Sequence, residues 1–213
     1  MTKLTRRKLL QASILGGIVA GTKLHMAEAS PRPSTPHEIE GPFYPVVAQK
    51  DKDFDLTQVE GRSGKAKGDE IIIEGRILDA GGYPIEDATV ELWQANAAGR
   101  YNHPHDSNTA PLDPNFQGWA IVQSGAEGGF KFKTIMPGIY PAAENWFRPP
   151  HIHFKVSKKS YVELITQMYF PGEPLNEKDL LIKRKNKAET LQMIAFAKED
   201  GHFQYDIVME RAQ

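Results

Sequence analysis

Between residues 70 and 210 the chain repeatedly alternates apolar and polar side chains with a period of two, the spacing of a strand with one buried face. Residues 70–78 are rich in isoleucine. Residues 89–94 set Val90 and Leu92 against Thr89, Glu91 and Trp93, and residues 130–135 set Phe130 and Phe132 against Lys131 and Lys133. Residues 151–157, 163–170 and 205–210 complete the predicted strands. Gly81-Gly82-Tyr83-Pro84 is turn chemistry. A helix is predicted over residues 187–199, ended by Gly201. Short strands joined by irregular connections predict an all-β fold, an antiparallel β-sandwich with long loops and one or two short helices. The loop over residues 96–118 has a length associated with function or disorder.

The pattern divides the chain into three parts. Residues 1–29 carry Arg6-Arg7 ahead of an apolar stretch from Leu9 to Gly21, then Ala27-Glu28-Ala29. This resembles a twin-arginine signal peptide and predicts export to the periplasm or beyond. The apolar stretch is too short to span a bilayer stably. Residues 30–69 form a linker and entry segment: a Pro/Ser-rich start, then the stiff aromatic run Gly41-Pro42-Phe43-Tyr44-Pro45, expected to pack on the domain. Residues 50–67 are charged and read as surface loop. Residues 70–213 form the sandwich domain.

Composition narrows the chemistry. A length of 213 residues suits one domain with a real core. A formal net charge of −1 gives no reason to expect nucleic-acid or acidic-membrane partners. The absence of cysteine excludes disulfides, Fe–S clusters and zinc–thiolate sites. Any metal must therefore be held by His, Tyr, Asp or Glu.

His151-Ile152-His153 is the central clue. On a strand, both imidazoles project to one side while Ile152 faces the core, and two neutral imidazoles make half a metal site. H-x-H pairs also occur as hydrogen-bonding or surface histidines. His103 and His105 with Asp106 are a rival set, but Pro104 argues against a central strand there and a polar loop is the simpler reading. Arg148-Pro149-Pro150 fixes the approach to His151 and sets a cation nearby. Tyr101 opens the long loop, and Tyr140 lies in the turn Met136-Pro137-Gly138-Ile139-Tyr140-Pro141. Spacing alone leaves both tyrosines as packing residues.

Longer runs carry more. Gly75-Arg76-Ile77-Leu78-Asp79, Val90-Glu91-Leu92-Trp93-Gln94-Ala95-Asn96-Ala97-Ala98-Gly99-Arg100-Tyr101, Asp113-Pro114-Asn115-Phe116-Gln117-Gly118-Trp119 and Thr166-Gln167-Met168-Tyr169-Phe170-Pro171-Gly172 stand in order. With the Tyr140 turn, the Arg148–Phe154 segment and the entry run, they resemble the intradiol ring-cleavage dioxygenases. Within that family the resemblance is to the protocatechuate 3,4-dioxygenase branch. The added N-terminal helical domain of catechol 1,2-dioxygenases has no room here.

The resemblance implies a β-sandwich core and a non-haem iron(III) cofactor held by Tyr101, Tyr140, His151 and His153. It implies that Arg148 lies beside the bound ring and Gln167 near the site, and that Tyr140 also receives a substrate proton. The implied reaction splits catechol, protocatechuate, hydroxyquinol or a similar ring with O2, giving muconate-type diacids. The family pattern also allows for an oligomer. Ala142 stands where some protocatechuate-type relatives carry a bulky aromatic, which implies a more open pocket. No residue is identified for a substrate carboxylate. Two other classes fit parts of the pattern: a transthyretin-like binding module without catalysis, and a metal hydrolase using His103, His105, His151 or His153.

Overall fold

The alternating segments fold into two sheets whose apolar faces meet. The computed structural model describes residues 31–49, 51–199 and 201–213, so the signal-peptide reading of residues 1–29 lies outside the described residues. The strands are β1 (Glu70–Asp79), β2 (Thr89–Trp93), β3 (Trp119–Gln123), β4 (Gly129–Ile135), β5 (Tyr140–Ala143), β6 (Trp146–Arg148), β7 (His151–Ser157), β8 (Leu164–Tyr169), β9 (Phe196–Glu199), β10 (His202–Gln204) and β11 (Ile207–Met209). One sheet has the order β11-β1-β10-β9, with β4 also on β1; the other has the order β3-β2-β7-β8; β5 and β6 form a separate hairpin. The sandwich is as the alternation predicts, and most ladders are antiparallel. The long β1 is the exception. It pairs β10 and β11 in parallel along successive parts of one edge.

The core lies between the sheets. Ile71, Ile73, Phe130 and Phe132 of the first sheet pack on Val90, Leu92, Ile152, Phe154 and Val156 of the second. Phe154 sits 5.8 Å from Phe130 and 6.3 Å from Phe132 between ring centroids, joining the two layers. The opposite face of the second sheet carries Trp93, His151, His153, Gln167 and Tyr169, which are aligned by register: Trp93 with His153, His153 with Gln167, and His151 with Tyr169.

The entry segment straps both sheets together. The Thr35 N–H donates to Val208 O at 3.0 Å and the Glu38 N–H to Ile165 O at 2.9 Å. The segment then lays Phe43 and Tyr44 on the outward face, where Tyr44 Oη donates to Glu91 Oε2 at 2.9 Å. Burial and the Glu91 carboxylate push the Tyr44 phenol up to about 12.

Two expectations need correction. The helix over residues 187–199 is only α1 (Lys187–Met193), started by a reciprocal Asn186–Glu189 capping box. At Ile194 the backbone turns extended and the Ala195 N–H donates to Tyr169 O at 2.9 Å. Phe196–Glu199 then becomes β9. Ladder pairing overrides the helix propensity of its Ala, Lys and Glu residues, and Gly201 serves the β9–β10 turn at φ +71. The charged segment over residues 50–67 is not all surface. Leu56 is fully buried in the core, its N–H donating to Lys133 O at 2.8 Å.

Because Phe154 bridges both layers with no exposed surface, Phe154→Ala is expected to lower unfolding free energy by about 3–5 kcal/mol. A denaturation midpoint shift at unchanged slope would register it. A loss under about 1 kcal/mol would contradict the layer-joining role.

Candidate active site

The two imidazoles reach one face of β7 because the strand alternates, as the H-x-H reading requires. The tyrosines arrive by a different device. Gly99 and Gly138 each stand two residues before a tyrosine, and their backbones touch: a Cβ on Gly138 would lie 2.4 Å from Gly99 N, and one on Gly99 would lie 2.1 Å from Ile139 O. Only glycine permits so close an approach, and Gly99 also needs φ +77. The buried Asn96 carbonyl ties the two turns, accepting from the Gly99 and Gly138 N–H groups at 2.9 Å each. Asp106 then fixes Tyr101, whose N–H donates to Asp106 Oδ2 at 2.7 Å. Tyr140 opens β5, opposite Arg148 on β6.

The four side chains converge. Tyr101 and Tyr140 ring centroids lie 5.6 Å apart at 90°, His151 and His153 5.0 Å apart, Tyr140 and His151 5.7 Å, and Tyr101 and His153 6.1 Å. All are buried. His151 Nδ1 lies 2.7 Å from Pro149 O, so it carries the proton there and Nε2 presents a lone pair. That Nε2 stands 3.5 Å from Tyr101 Oη, too far for a strong hydrogen bond. His153 stacks on Trp93 at 4.8 Å and 14°. Its Nδ1 is buried with no hydrogen-bond partner among the described residues.

Burial, aided by the Arg148 charge, holds both imidazoles well below the usual histidine range, hence neutral. Burial drives the Tyr101 phenol well above its usual range, with Tyr140 adding to the rise and Arg148 opposing it. Tyr140 is raised by burial against the pull of Arg148. A cation placed among these groups would reverse the phenol shifts.

A cleft of about 520 Å³ opens above the group, with Tyr140, Arg148 and His153 at its base and Ile39, Phe43 and Trp146 among its walls. The rival set is not gathered around a metal position. Asp106 directs its oxygens to the N–H groups of Tyr101 and Asn108. Among the described residues no group of three or more His, Asp or Glu side chains could hold a metal.

Comparison with known proteins decides the family. Residues 39–211 match the family model described as Dioxygenase. A protocatechuate 3,4-dioxygenase beta chain from Burkholderia cepacia is 41% identical over 180 residues, covering 78% of this chain and 77% of the relative. The chain belongs to the intradiol ring-cleavage dioxygenase family. A hydroxyquinol 1,2-dioxygenase from a Rhizobium strain is 27% identical over 171 residues, 68% of this chain, and the match spans only 56% of that relative. The dioxygenase domain of a dioxygenase carbohydrate-binding protein fusion from Streptomyces sp. SirexAA-E superposes with a TM-score of 0.64 at 25% identity, over 84% of this chain and 100% of that domain. The chain is thus an oxidoreductase of this family, whose named members act on catechol-type rings.

The structure brings every predicted site residue of this intradiol family member to one place and adds two that the sequence reading missed. Arg148 is buried, and its Nε donates to Asp179 Oδ2 at 2.6 Å. Its Nη2 donates to Gln167 Oε1 at 2.6 Å and to Tyr169 Oη at 2.8 Å. Asp179, fully buried, also accepts from the N–H groups of Leu181 and Ile182 through Oδ1. Tyr169 was legible in principle, two residues beyond Gln167 on the same strand face. Asp179 was not, since nothing in its local sequence points to a partner 31 positions away.

Removing one member of a buried ion pair strands the other charge. Asp179→Ala is therefore expected to cost about 3–5 kcal/mol of stability, with the Asn variant closer to the parent because it still accepts from Leu181. Thermal or denaturant midpoints of the two variants provide the measurement. Equal, negligible losses would count against the pair.

Proposed function

We propose that this protein is a non-haem iron(III) intradiol dioxygenase that uses O2 to cleave catechol-type rings between the two hydroxyl-bearing carbons. The observation that carries the reading is the convergence of two phenols and two neutral imidazoles at the base of an open cleft. The donor set fits ferric iron. Phenolate oxygens suit a hard cation, imidazoles complete the set without added charge, and the unpartnered Nδ1 of His153 marks a buried polar group that the fold leaves uncommitted. Tyr101, Tyr140, His151 and His153 would hold the metal. The chemistry such an ion would supply is Lewis acidity toward the catechol oxygens, which would favour their deprotonation and so ready the ring for O2.

The chain's own groups do the rest. Tyr101 is sealed behind Phe43, at 4.8 Å, and holds its position. Tyr140 faces the cleft, so its oxygen is the one placed to take a proton from an entering catechol. Arg148, beside Tyr140, offers a fixed positive charge to the anionic ring. Asp179, Gln167 and Tyr169 keep that guanidinium from swinging away. The net change adds both oxygen atoms of O2 to the ring, breaks one carbon–carbon bond and leaves a muconate-type diacid.

A transthyretin-like binding module would share the sandwich but has no use for this donor set. We also infer export by the twin-arginine route from Arg6-Arg7 and the apolar stretch after them. Replacing both arginines by lysine should then retain the protein in the cytoplasm in cell fractionation, and unchanged export would refute that route.

The purified protein is expected to be red-brown from tyrosinate-to-iron charge transfer, with about one iron per chain. His151→Ala should lose the metal by elemental analysis. Tyr140→Phe should keep it while slowing turnover about 10²- to 10⁴-fold. A protein that stays colourless after iron loading would refute the dioxygenase reading.

A further inference from the structure

Taking the preceding reading as its basis, the cleft also bears on which catechol enters. A catechol entering with its oxygens at the base would direct its 4-substituent away from the base, up the cleft. The cleft wall is mostly apolar, with Ile39, Phe43, Pro141, Ala142, Trp146 and Leu181, although Trp146 Nε1 is a donor with no partner among the described residues. Ala142 is exposed and leaves the wall open. Among the described residues the one lysine or arginine lining the cleft is Arg148. Its charge is already matched by Asp179 at 2.6 Å, and it is held at the base through Gln167 and Tyr169.

The other charged group on the cleft wall is negative. Asp106 sits beside Ser107, Asn108 and Thr109. These neighbours are neutral: Asn108 has one side-chain N–H committed to Gly99 O and its oxygen accepting from the Ala110 N–H, so the wall offers hydrogen-bond donors but no cation beside Asp106. A ring carboxylate would therefore find neutral donors but no free cation, lose water against largely apolar surface and lie near the Asp106 carboxylate, which backbone N–H groups of Tyr101 and Asn108 compensate only in part. A methyl group of similar size would gain from the same wall.

We propose that the cleft selects catechols with uncharged, apolar ring substituents and discriminates against carboxylated ones. This departs from the substrate in the name of the 41%-identical relative. Phe43 and Trp146 supply the contact surface, Ala142 the room, and Asp106 the electrostatic bar.

The test uses the iron-loaded full chain without oxygen. The visible band is titrated with 4-methylcatechol and, separately, with protocatechuate, and aerobic kcat/KM is measured for both. 4-Methylcatechol is expected to bind at least about tenfold more tightly, with kcat/KM in the same order. Ala142→Lys should improve protocatechuate binding about tenfold while changing 4-methylcatechol by less than about threefold. Protocatechuate binding as tightly as 4-methylcatechol, or an Ala142→Lys variant with the parent's ratio, would overturn the selectivity. If neither compound moves the band of the iron-loaded protein, the dioxygenase reading itself fails, a different result from a band that moves equally with both.

Discussion

The strand β7 sends Ile152, Phe154 and Val156 into the core between the sheets and His151 and His153 to the opposite face, and a slip of one residue would exchange the two sets. Burial of the apolar set therefore fixes the position of the imidazoles. Phe154 locks the register from below through its contacts with Phe130 and Phe132. From above, Trp93 and Gln167, the register partners of His153, hold it in the plane of the sheet. Stability and chemistry are thus set by one alternation. The same side-chain contacts that bury the core decide where a ligand nitrogen stands.

The tyrosines are placed by backbone rather than by side-chain packing. Two turns, far apart in sequence, meet at Gly99 and Gly138 with no room for a Cβ, and the Asn96 carbonyl accepts from both. The outcome is a site whose four donors come from one rigid strand and two interlocked loops. Electrostatics then keeps the group in waiting. Burial disfavours charge on every member, so a cation entering there would be met by four neutral donors, of which it would make the two phenols anionic. The fixed cation nearby, Arg148, is tolerated in the interior because Asp179 answers it.

The sandwich was legible because period-two alternation is local and strong, as in Phe130, Lys131, Phe132 and Lys133. The His151/His153 pair was legible for the same reason. Tyr101 and Tyr140 were not separable from ordinary packing residues by pattern, and only the longer motif match raised them. What failed were features set by distant contacts. Ala195 to Glu199 look helical in isolation but pair with the end of β8 and with β10. Leu56 sits in a charged stretch whose backbone bonds to Lys133 carry it inward. Asp179 gains its role only when the fold brings Arg148 to it.

The entry strap has a consequence of another kind. Its first residues, Arg32, Pro33 and Ser34, lie exposed, whereas from Thr35 onward the strap is tied to the sheets by backbone bonds from Thr35 and Glu38 and by side-chain bonds joining Thr35 to Val208, Pro36 to Thr166 and Ile39 to Gln167. Further along, the same strap supplies Gly41, Pro42 and Phe43 to the cleft wall. A protease cutting there would meet accessible chain, and the prolines at 31, 33 and 36 are its main obstacle. Such a nick would leave both sheets paired and the core closed, with one wall of the cleft held only by the bonds of residues 35–39 and its own packing, so loosening of the cleft and loss of the fold are separable events in this architecture.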